Sequence, residues 1–158
     1  MTAFHIGLIG TGYMGKAHAI ALHAAPRVFD LPATPVCEML AEVDSTLASR
    51  KARELGFARA TGDWQQLVAD PRVDVVDICA PNYLHKAMAL AAIAHGKHVY
   101  LEKPMALNDA DAIEMADAAE HAGVKTLVGF NYVRNPASQL AREIIASGEI
   151  GEVIHFRG

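Results

Sequence analysis

The sequence predicts an α/β fold in which helices cover both faces of a mostly parallel sheet. Along most of the 158 residues, short apolar runs typical of buried strands alternate with segments of helical periodicity. A glycine-rich turn, residues 10–15, joins the first predicted strand to the first predicted helix. Repeated strand–helix units of this kind connect parallel strands, and such a sheet is buried by helices on both sides.

The strands are assigned from short apolar runs with β-branched residues. The run over residues 73–79 is the clearest, and the run over 57–60 is weak. A proline-bearing loop, residues 25–35, separates the first helix from the second strand. The predicted strands are, in order, residues 4–9, 36–40, 57–60, 73–79, 97–101, 126–129 and 152–156.

The helices are assigned from apolar faces and from residues that favour a start or a stop. Asp44 or Ser45, then Asn108, then Asn135 with Pro136 are suited to helix starts, and glycines follow the ends. The predicted helices lie around residues 14–25, 45–55, 63–69, 83–95, 108–123 and 135–148. The inward face of the first helix is assigned to Met14, Ala17, His18, Ala21, Leu22 and Ala25.

The strand predicted over residues 152–156 has no element after it. An edge strand needs a partner. We therefore expect that the chain is truncated relative to a longer protein, or that it completes its sheet with another chain. Composition does not distinguish these two possibilities.

Composition narrows the class of protein. Hydrophobic residues make up 52% of the chain, charged residues 20%, and the formal net charge is -4. These values are typical of a globular protein and argue against a nucleic-acid partner. Without a signal-peptide pattern or an apolar run of about 18 residues, the sequence predicts a cytoplasmic protein with no membrane span. Cys37 and Cys79 are expected to be free, and no metal site is predicted.

The dinucleotide-binding fingerprint G-x-G-x-x-G is present as Gly10-Thr11-Gly12-Tyr13-Met14-Gly15. Gly10 allows a tight turn, Gly12 lets the backbone approach a pyrophosphate, and Gly15 lets the helix pack on the strand. The free N–H groups and the dipole of the helix N-terminus favour phosphates. The turn therefore predicts a nucleotide site, the alternative being a turn that binds nothing.

A carboxylate after the second strand is expected to accept hydrogen bonds from the adenosine ribose. Glu42 is the first candidate and Asp44 the second, about 30 residues past the glycines where about 20 is usual. A carboxylate repels a 2′-phosphate, which predicts NAD rather than NADP. Arg50 and Lys51 are close in sequence and keep NADP as the alternative. Glu42 as a solvated strand end is the other interpretation.

Polar groups also follow the fourth, fifth and sixth strands, at the sheet edge where open α/β sheets bind ligands. These groups are Ala80-Pro81-Asn82-Tyr83-Leu84-His85, Glu102-Lys103-Pro104 and Gly129-Phe130-Asn131-Tyr132. Lys103 follows a buried strand, so partial desolvation would make it a better proton donor near neutral pH. The alternative is a surface lysine paired with Glu102. For His85, a place on a helix face is at least as reasonable as a place in the site.

Taken together, these motifs resemble those of the Gfo/Idh/MocA oxidoreductases, the glucose–fructose oxidoreductase and inositol dehydrogenase family. The matching stretches are residues 7–18, 76–85, 98–104, 129–132, 135–136 and 148–153. The resemblance implies a Rossmann-type NAD(P)-binding domain over residues 1–130. It implies that residues 131–158 are the connecting helix and first strand of a truncated α/β substrate domain.

The resemblance also implies a function, namely hydride transfer between a nicotinamide cofactor and a sugar, cyclitol or related polyol. It implies that Lys103 is catalytic, beside the nicotinamide, and that Pro104 shapes the pocket, often through a cis peptide. The expected cofactor-binding residues are Gly10, Thr11, Gly12, Tyr13, Met14, Gly15, Glu42, Ala80, Pro81, Asn82, His85, Glu102, Lys103, Pro104 and Asn131.

What the chain lacks suggests an alternative. No histidine here occupies the family's proton-transfer position, and His155 falls only in the first strand of the second domain. The chain alone is therefore expected to be inactive, and a homo-oligomer is expected for the full-length protein. The alternative function is an inert dinucleotide-binding module with no chemistry of its own.

Overall fold

The computed structural model describes residues 2–157, which form six strands and six α-helices. In chain order these are β1 (Thr2–Ile9), α1 (Tyr13–Val28), β2 (Ala33–Ala41), α2 (Ser45–Leu55), β3 (Arg59–Thr61), α3 (Trp64–Ala69), β4 (Val75–Ile78), α4 (His85–Ala94), β5 (His98–Leu101), α5 (Asp109–Ala122), β6 (Thr126–Val128) and α6 (Pro136–Ala146). Two short 3-10 helices, Asn82–Leu84 and Asn131–Arg134, precede α4 and α6.

The strands form one parallel sheet in the order β3-β2-β1-β4-β5-β6. The chain builds outward from β1 to β3 on one side, then returns to the centre and builds outward from β4 to β6 on the other. The strand order thus reverses between β1 and β4, which is where ligands of such sheets bind, at the carboxyl ends of the strands. The predicted parallel sheet is confirmed.

The core divides into two apolar clusters, one on each face of the sheet. Leu8 and Leu40 belong to one cluster, whereas their chain neighbours Ile9 and Met39 belong to the other. This alternation follows from the period of two along a strand. Leu8 and Leu40 are completely buried. The predicted arrangement, with helices on both faces, is therefore also confirmed.

The buried face of α1 agrees with the prediction only in part. Of the residues assigned inward, His18 is buried but Ala17 and Ala21 are exposed, and Gly15 and Ala19 are also buried. The helix is rich in alanine on every side, so its sequence gives the hydrophobic period little contrast. The helix also continues through Pro26 to Val28, although a proline has no N–H to donate within the helix, and this continuation shortens the predicted loop.

The strand predicted over residues 152–156 is wrong. These residues have no regular secondary structure and all are exposed. A run with β-branched residues becomes a strand only where a neighbouring strand accepts and donates its backbone hydrogen bonds. No strand in residues 2–157 pairs with it. The helix before it, α6, has no buried residue either.

The remaining differences are small. The strands β3 and β4 begin two residues later than predicted, and the helix predicted from residue 83 begins as a 3-10 turn. Cys37 and Cys79 are free thiols. Within residues 2–157, no helix has both the length and the apolar character needed to cross a bilayer.

Candidate functional site

A cavity of about 780 Å³ opens at the carboxyl-terminal edge of the sheet, beside the reversal of strand order. Its walls come from the glycine turn, the segments after β2 and β4, the start of α3 and the end of β5. The residues that were predicted to bind a cofactor and that line it are Gly10, Thr11, Gly12, Tyr13, Met14, Glu42, Ala80, Pro81, Asn82, Glu102 and Lys103. Most of the predicted site thus forms one cavity.

The glycines of the turn meet different requirements. Gly10 has a φ of +89°, and a Cβ there would lie 2.9 Å from the carbonyl oxygen of Cys79. A Cβ on Gly15 would lie 2.0 Å from the carbonyl oxygen of Gly10, so only glycine lets α1 start this close to the strand. A Cβ on Gly12 would meet no atom within 4 Å. Gly12 lines the cavity, so the absence of a side chain leaves space for a ligand. The fold itself does not require glycine at this position.

The N-terminus of α1 points its backbone donors toward the same cavity. Gly12 is the N-cap residue, and no side chain of the described residues caps the helix. The N–H groups of the first turn are therefore left without a helical or side-chain acceptor, and the positive end of the helix dipole adds to their effect. This arrangement can bind a phosphate or another anion.

Glu42 stands directly after β2 and faces the glycine turn. Its Oε1 accepts hydrogen bonds from the Thr11 backbone N–H, at 2.7 Å, and from the Thr11 hydroxyl. Its Oε2 accepts one from the Val43 N–H at 3.1 Å. The carboxylate is half-buried at the cavity wall, where it can accept hydrogen bonds from ligand hydroxyl groups.

The other candidates for the ribose end are occupied elsewhere. Asp44 caps α2, accepting a hydrogen bond from the Leu47 N–H at 2.8 Å, and does not line the cavity. Lys51 and Arg50 both pair with Glu54 and also lie outside the cavity wall. The geometry therefore favours Glu42 over Asp44, and it gives no support to a phosphate site at Arg50 and Lys51.

Lys103 lies on the cavity wall and is exposed, so the desolvation expected for it is not present. Among residues 2–157, no carboxylate oxygen lies within 4.0 Å of its ammonium group. The neighbouring Glu102 is buried, and its carboxylate lies 3.1 Å from His18 Nε2 and accepts a hydrogen bond from the Lys103 backbone N–H rather than from its ammonium group. The predicted alternative, a lysine paired with Glu102, is thus not what the structure shows. The Lys103–Pro104 peptide bond is cis.

Four predicted cofactor-binding residues do not line the cavity: Gly15, His85, Pro104 and Asn131. His85 is completely buried, and its ring nitrogens lie 2.9 Å from the Ala80 carbonyl oxygen and 3.0 Å from that of Pro104. An imidazole engaged on both nitrogens cannot also face a ligand, so His85 supports the two loops from behind. Asn131 is exposed and begins a 3-10 helix outside the cavity.

A buried polar cluster next to the cavity was not predicted as a unit from the sequence. His18 on α1 lies with Nδ1 3.0 Å from both carboxylate oxygens of Asp77 and with Nε2 3.1 Å from Glu102 Oε1. Cys79 Sγ is 3.3 Å from Nδ1, and the Tyr100 ring stacks on the imidazole at 4.8 Å. The signal available in sequence was an aspartate inside an apolar strand, which must have a partner if buried.

We call these residues the His18 cluster (His18, Asp77, Cys79, Tyr100 and Glu102), and their surroundings shift the pKa values of several members. Burial works against the charged imidazole, but hydrogen bonds and charges from Asp77 and Glu102 raise the pKa of His18 above its ordinary value. Burial also raises the pKa of Asp77 and that of the Cys79 thiol. His18, Asp77 and Cys79 are spaced closely enough for a metal ion, yet their donor atoms already contact one another.

Comparison with known proteins agrees with this geometry. The family model for GFO_IDH_MocA, described as oxidoreductase family, NAD-binding Rossmann fold, matches residues 4–130. Levoglucosan dehydrogenase of Pseudarthrobacter phenanthrenivorans is 43% identical over 159 residues, which is 100% of this chain and 41% of that protein. The chain therefore spans well under half of that relative's length.

Solved structures give the same result. A crystal structure of an NAD binding oxidoreductase from Klebsiella pneumoniae is 55% identical, with a TM-score of 0.93 over 96% of this chain and 40% of that one. Levoglucosan dehydrogenase in complex with NADH and levoglucosan is 43% identical, with a TM-score of 0.93 over 96% and 41%. The glycine turn, the sheet order and these matches agree. The chain belongs to the Gfo/Idh/MocA oxidoreductase family and has its NAD-binding Rossmann fold.

Proposed function

We propose that the whole protein is an NAD-dependent oxidoreductase that transfers a hydride between the nicotinamide and a carbon bearing a hydroxyl group in a sugar, cyclitol or related polyol. The observation that carries this proposal is one cavity whose wall includes the glycine turn, the Glu42 carboxylate and the exposed Lys103 side chain. Levoglucosan dehydrogenase, a sugar-derivative dehydrogenase by its name, supports the substrate class.

The glycine turn and the N-terminus of α1 bind the pyrophosphate in this proposal, and Glu42 binds the adenosine ribose. When the ribose hydroxyls donate to Glu42, they replace or share the hydrogen bonds that Thr11 now makes. The carboxylate repels a 2′-phosphate, which supports NAD over NADP. NADP stays the alternative, with Arg50 and Lys51 as its phosphate ligands if both leave Glu54.

Lys103 is the proposed catalytic residue. NAD, when bound, supplies the carbon that accepts or returns the hydride. In the oxidation direction the substrate hydroxyl must lose its proton as its carbon loses the hydride, and the neutral Lys103 amine accepts that proton and becomes an ammonium group beside the oxygen. In the reduction direction the same group donates a proton to the oxygen.

The division of the chain belongs to the same proposal. Residues 1–130 bind the cofactor, and residues 131–158 lead into the part that binds substrate. The family match over residues 4–130 supports this boundary, as does the absence of buried residues in α6. Sugars and polyols are the proposed small-molecule partners, and the homo-oligomer and the cytoplasmic location stay predictions.

The test is turnover of the whole protein with NAD and a panel of sugars and polyols. Lys103→Ala should lower turnover by about 10²-fold or more, the usual scale for a positioned acid–base group, while NADH binding persists. Lys125→Ala, at an exposed lysine outside the cavity, is the matched control and should change neither. Wild-type turnover in Lys103→Ala would contradict the assignment. NADH binding without turnover of any substrate would instead favour the inert dinucleotide-binding module.

A further inference from the structure

The His18 cluster plays no part in the proposed chemistry, yet it holds three ionisable side chains away from water. His18 is 8% exposed, Asp77 2% and Glu102 6%. Burying a charged or polar side chain costs free energy unless its partners compensate. The stability of two carboxyl groups on either side of one buried imidazole therefore depends on which of these groups carries a proton.

The hydrogen-bond donors and acceptors of the cluster indicate where the proton lies. Both imidazole nitrogens lie within 3.1 Å of a carboxylate oxygen, Nδ1 at Asp77 and Nε2 at Glu102. A carboxylate only accepts hydrogen bonds, and a neutral imidazole donates from one nitrogen only. With a neutral ring, one nitrogen lone pair would face an oxygen lone pair in a buried site, which is costly. One further proton on the ring satisfies both contacts.

The cluster is also connected to the cavity. Glu102 Oε1 accepts the hydrogen bond from His18, and Oε2 accepts one from the Lys103 backbone N–H at 3.1 Å. A Cβ on Gly129 would lie 2.8 Å from Glu102 Oε1, so the carboxylate is enclosed from the β6 side as well. One carboxylate thus joins α1, which begins at the glycine turn, to the backbone from which Lys103 projects.

We propose that His18 is a positioning residue: a buried imidazolium, held between Asp77 and Glu102, that fixes the Glu102 carboxylate and through it the backbone of Lys103. The relevance to catalysis rests on the proposed function of Lys103, whereas the charge of His18 can be measured without it. The other groups that face the ring are the Cys79 thiol and the stacked Tyr100 ring. Burial raises the pKa of both groups, so both are neutral near pH 7. The charged groups that face the ring are therefore the two carboxylates.

The charge is tested on the unaltered chain by NMR of isotope-labelled histidine, with the His18 signals assigned through the adjacent Tyr100 ring. We expect both ring nitrogens to carry protons at about pH 7.5, where an unperturbed histidine of pKa about 6.5 is mostly neutral. A His18 ring with a single N–H at that pH would overturn the proposal, because the extra proton would then be on a carboxyl group or absent.

The connection to Lys103 is tested in the same spectra. The backbone amide signal of Lys103 should shift with the same pH midpoint as the His18 ring. Asp77→Asn should lower both midpoints, because it removes one negative charge and keeps an acceptor. Asp117→Asn, at an exposed carboxylate on α5, is the control and should move neither. A Lys103 amide that does not respond when His18 titrates would overturn the link.

The consequence for catalysis is tested in the whole protein with His18→Gln. A glutamine amide can donate from only one end, so it cannot satisfy both carboxylates. We expect kcat to fall roughly 10- to 100-fold, the scale of a misplaced catalytic group, with NADH affinity little changed. His121→Gln should behave as wild type. An unchanged kcat would overturn the positioning role. Failure of the wild-type protein to bind NADH would overturn the proposed function instead, and the NMR result would still decide the charge of His18.

Discussion

Glu42 Oε1 is the acceptor for both donors of Thr11, so one carboxylate oxygen sets the distance between the glycine turn and the end of β2. Glu42 therefore has an observed role in holding the turn and a proposed role in binding the ribose. The carboxylate of Asp44, two residues on, has a single role as the cap of α2. Substituting Glu42 and Asp44 one at a time therefore separates an effect on ligand binding from an effect on helix stability.

Glu42→Ala is expected to weaken NADH binding by roughly tenfold, the equivalent of about 1.4 kcal/mol, and to raise the affinity for NADPH relative to NADH. Asp44→Ala should leave both affinities close to wild type and lower the free energy of unfolding by about 1 kcal/mol, the usual value for a lost helix cap. Fluorescence titration and urea unfolding of the two variants check these results. Loss of NADH binding in Asp44→Ala alone would reverse the assignment.

Local sequence motifs identified several residues that the structure brings to the wall of one cavity, namely residues 10–14 of the glycine turn, Glu42 and Lys103. Their role in binding a cofactor stays a prediction. His85 and the His18 cluster could not be placed in the same way. His18 is 59 residues from Asp77 and 84 from Glu102, so their contact exists only after the sheet has formed. A periodicity can place a histidine on an inward face, but it does not identify the partner of that histidine.

At the scale of elements, the unit formed by β1, the glycine turn and α1 is the part on which the site depends most. Gly12 and Gly15 belong to the same turn but differ in their surroundings. A Cβ added to Gly12 would meet open space, whereas a Cβ added to Gly15 would lie 2.0 Å from the Gly10 carbonyl oxygen. The fingerprint therefore combines a position required by a ligand with a position required by the fold.

Gly12→Ala is expected to keep the free energy of unfolding within about 1 kcal/mol of wild type and to weaken NADH binding at least tenfold. Gly15→Ala should weaken binding too, but it should also destabilise the chain by roughly 1–3 kcal/mol or more, because the backbone must shift to admit the methyl group. Urea unfolding and NADH titration separate the two effects. Wild-type NADH affinity in Gly12→Ala would show that the pyrophosphate does not bind at this turn.

Most of the elements could be predicted because their patterns are local. The parallel strands and the caps at Asp44 and Asn108 occur as the sequence indicates. The predictions failed where the outcome depends on a neighbour. The inward face of α1 was predicted only in part because alanines surround the helix. Residues 152–156 lie beside none of the strands in residues 2–157 and so do not pair.

For the whole molecule, the free energy of unfolding depends on pH through a histidine whose pKa is raised and an aspartate whose pKa is lowered. The pKa of His18 is raised in the fold. The contribution of His18 to the free energy of unfolding is complete below its pKa in the unfolded chain, about 6.5. This contribution is lost as the pH rises through the pKa of His18 in the folded chain. Asp70 acts in the opposite sense, since its hydrogen bond from Arg59 lowers the pKa of its carboxyl group to about 2.

Asp70 therefore stabilises the fold above its ordinary pKa of 3.8, and this contribution is lost as the pH falls from there toward about 2. In Asp70→Asn, the free energy of unfolding should depend less on pH across that interval than it does in the wild type. Asp117→Asn, at an exposed carboxylate, should keep the wild-type slope. Urea unfolding at a series of acidic pH values measures both. Equal slopes in Asp70→Asn and wild type would contradict the role of the Arg59–Asp70 pair.

In our proposal, the cavity at the reversal of strand order binds NAD through the glycine turn and Glu42. A fluorescence titration of the chain with NADH and, in parallel, with NADPH is the first experiment to make. We expect saturable binding with a clear preference for NADH, and loss of that binding in Gly12→Ala while the fold persists. A preference for NADPH, or NADH binding that survives Gly12→Ala unchanged, would contradict it.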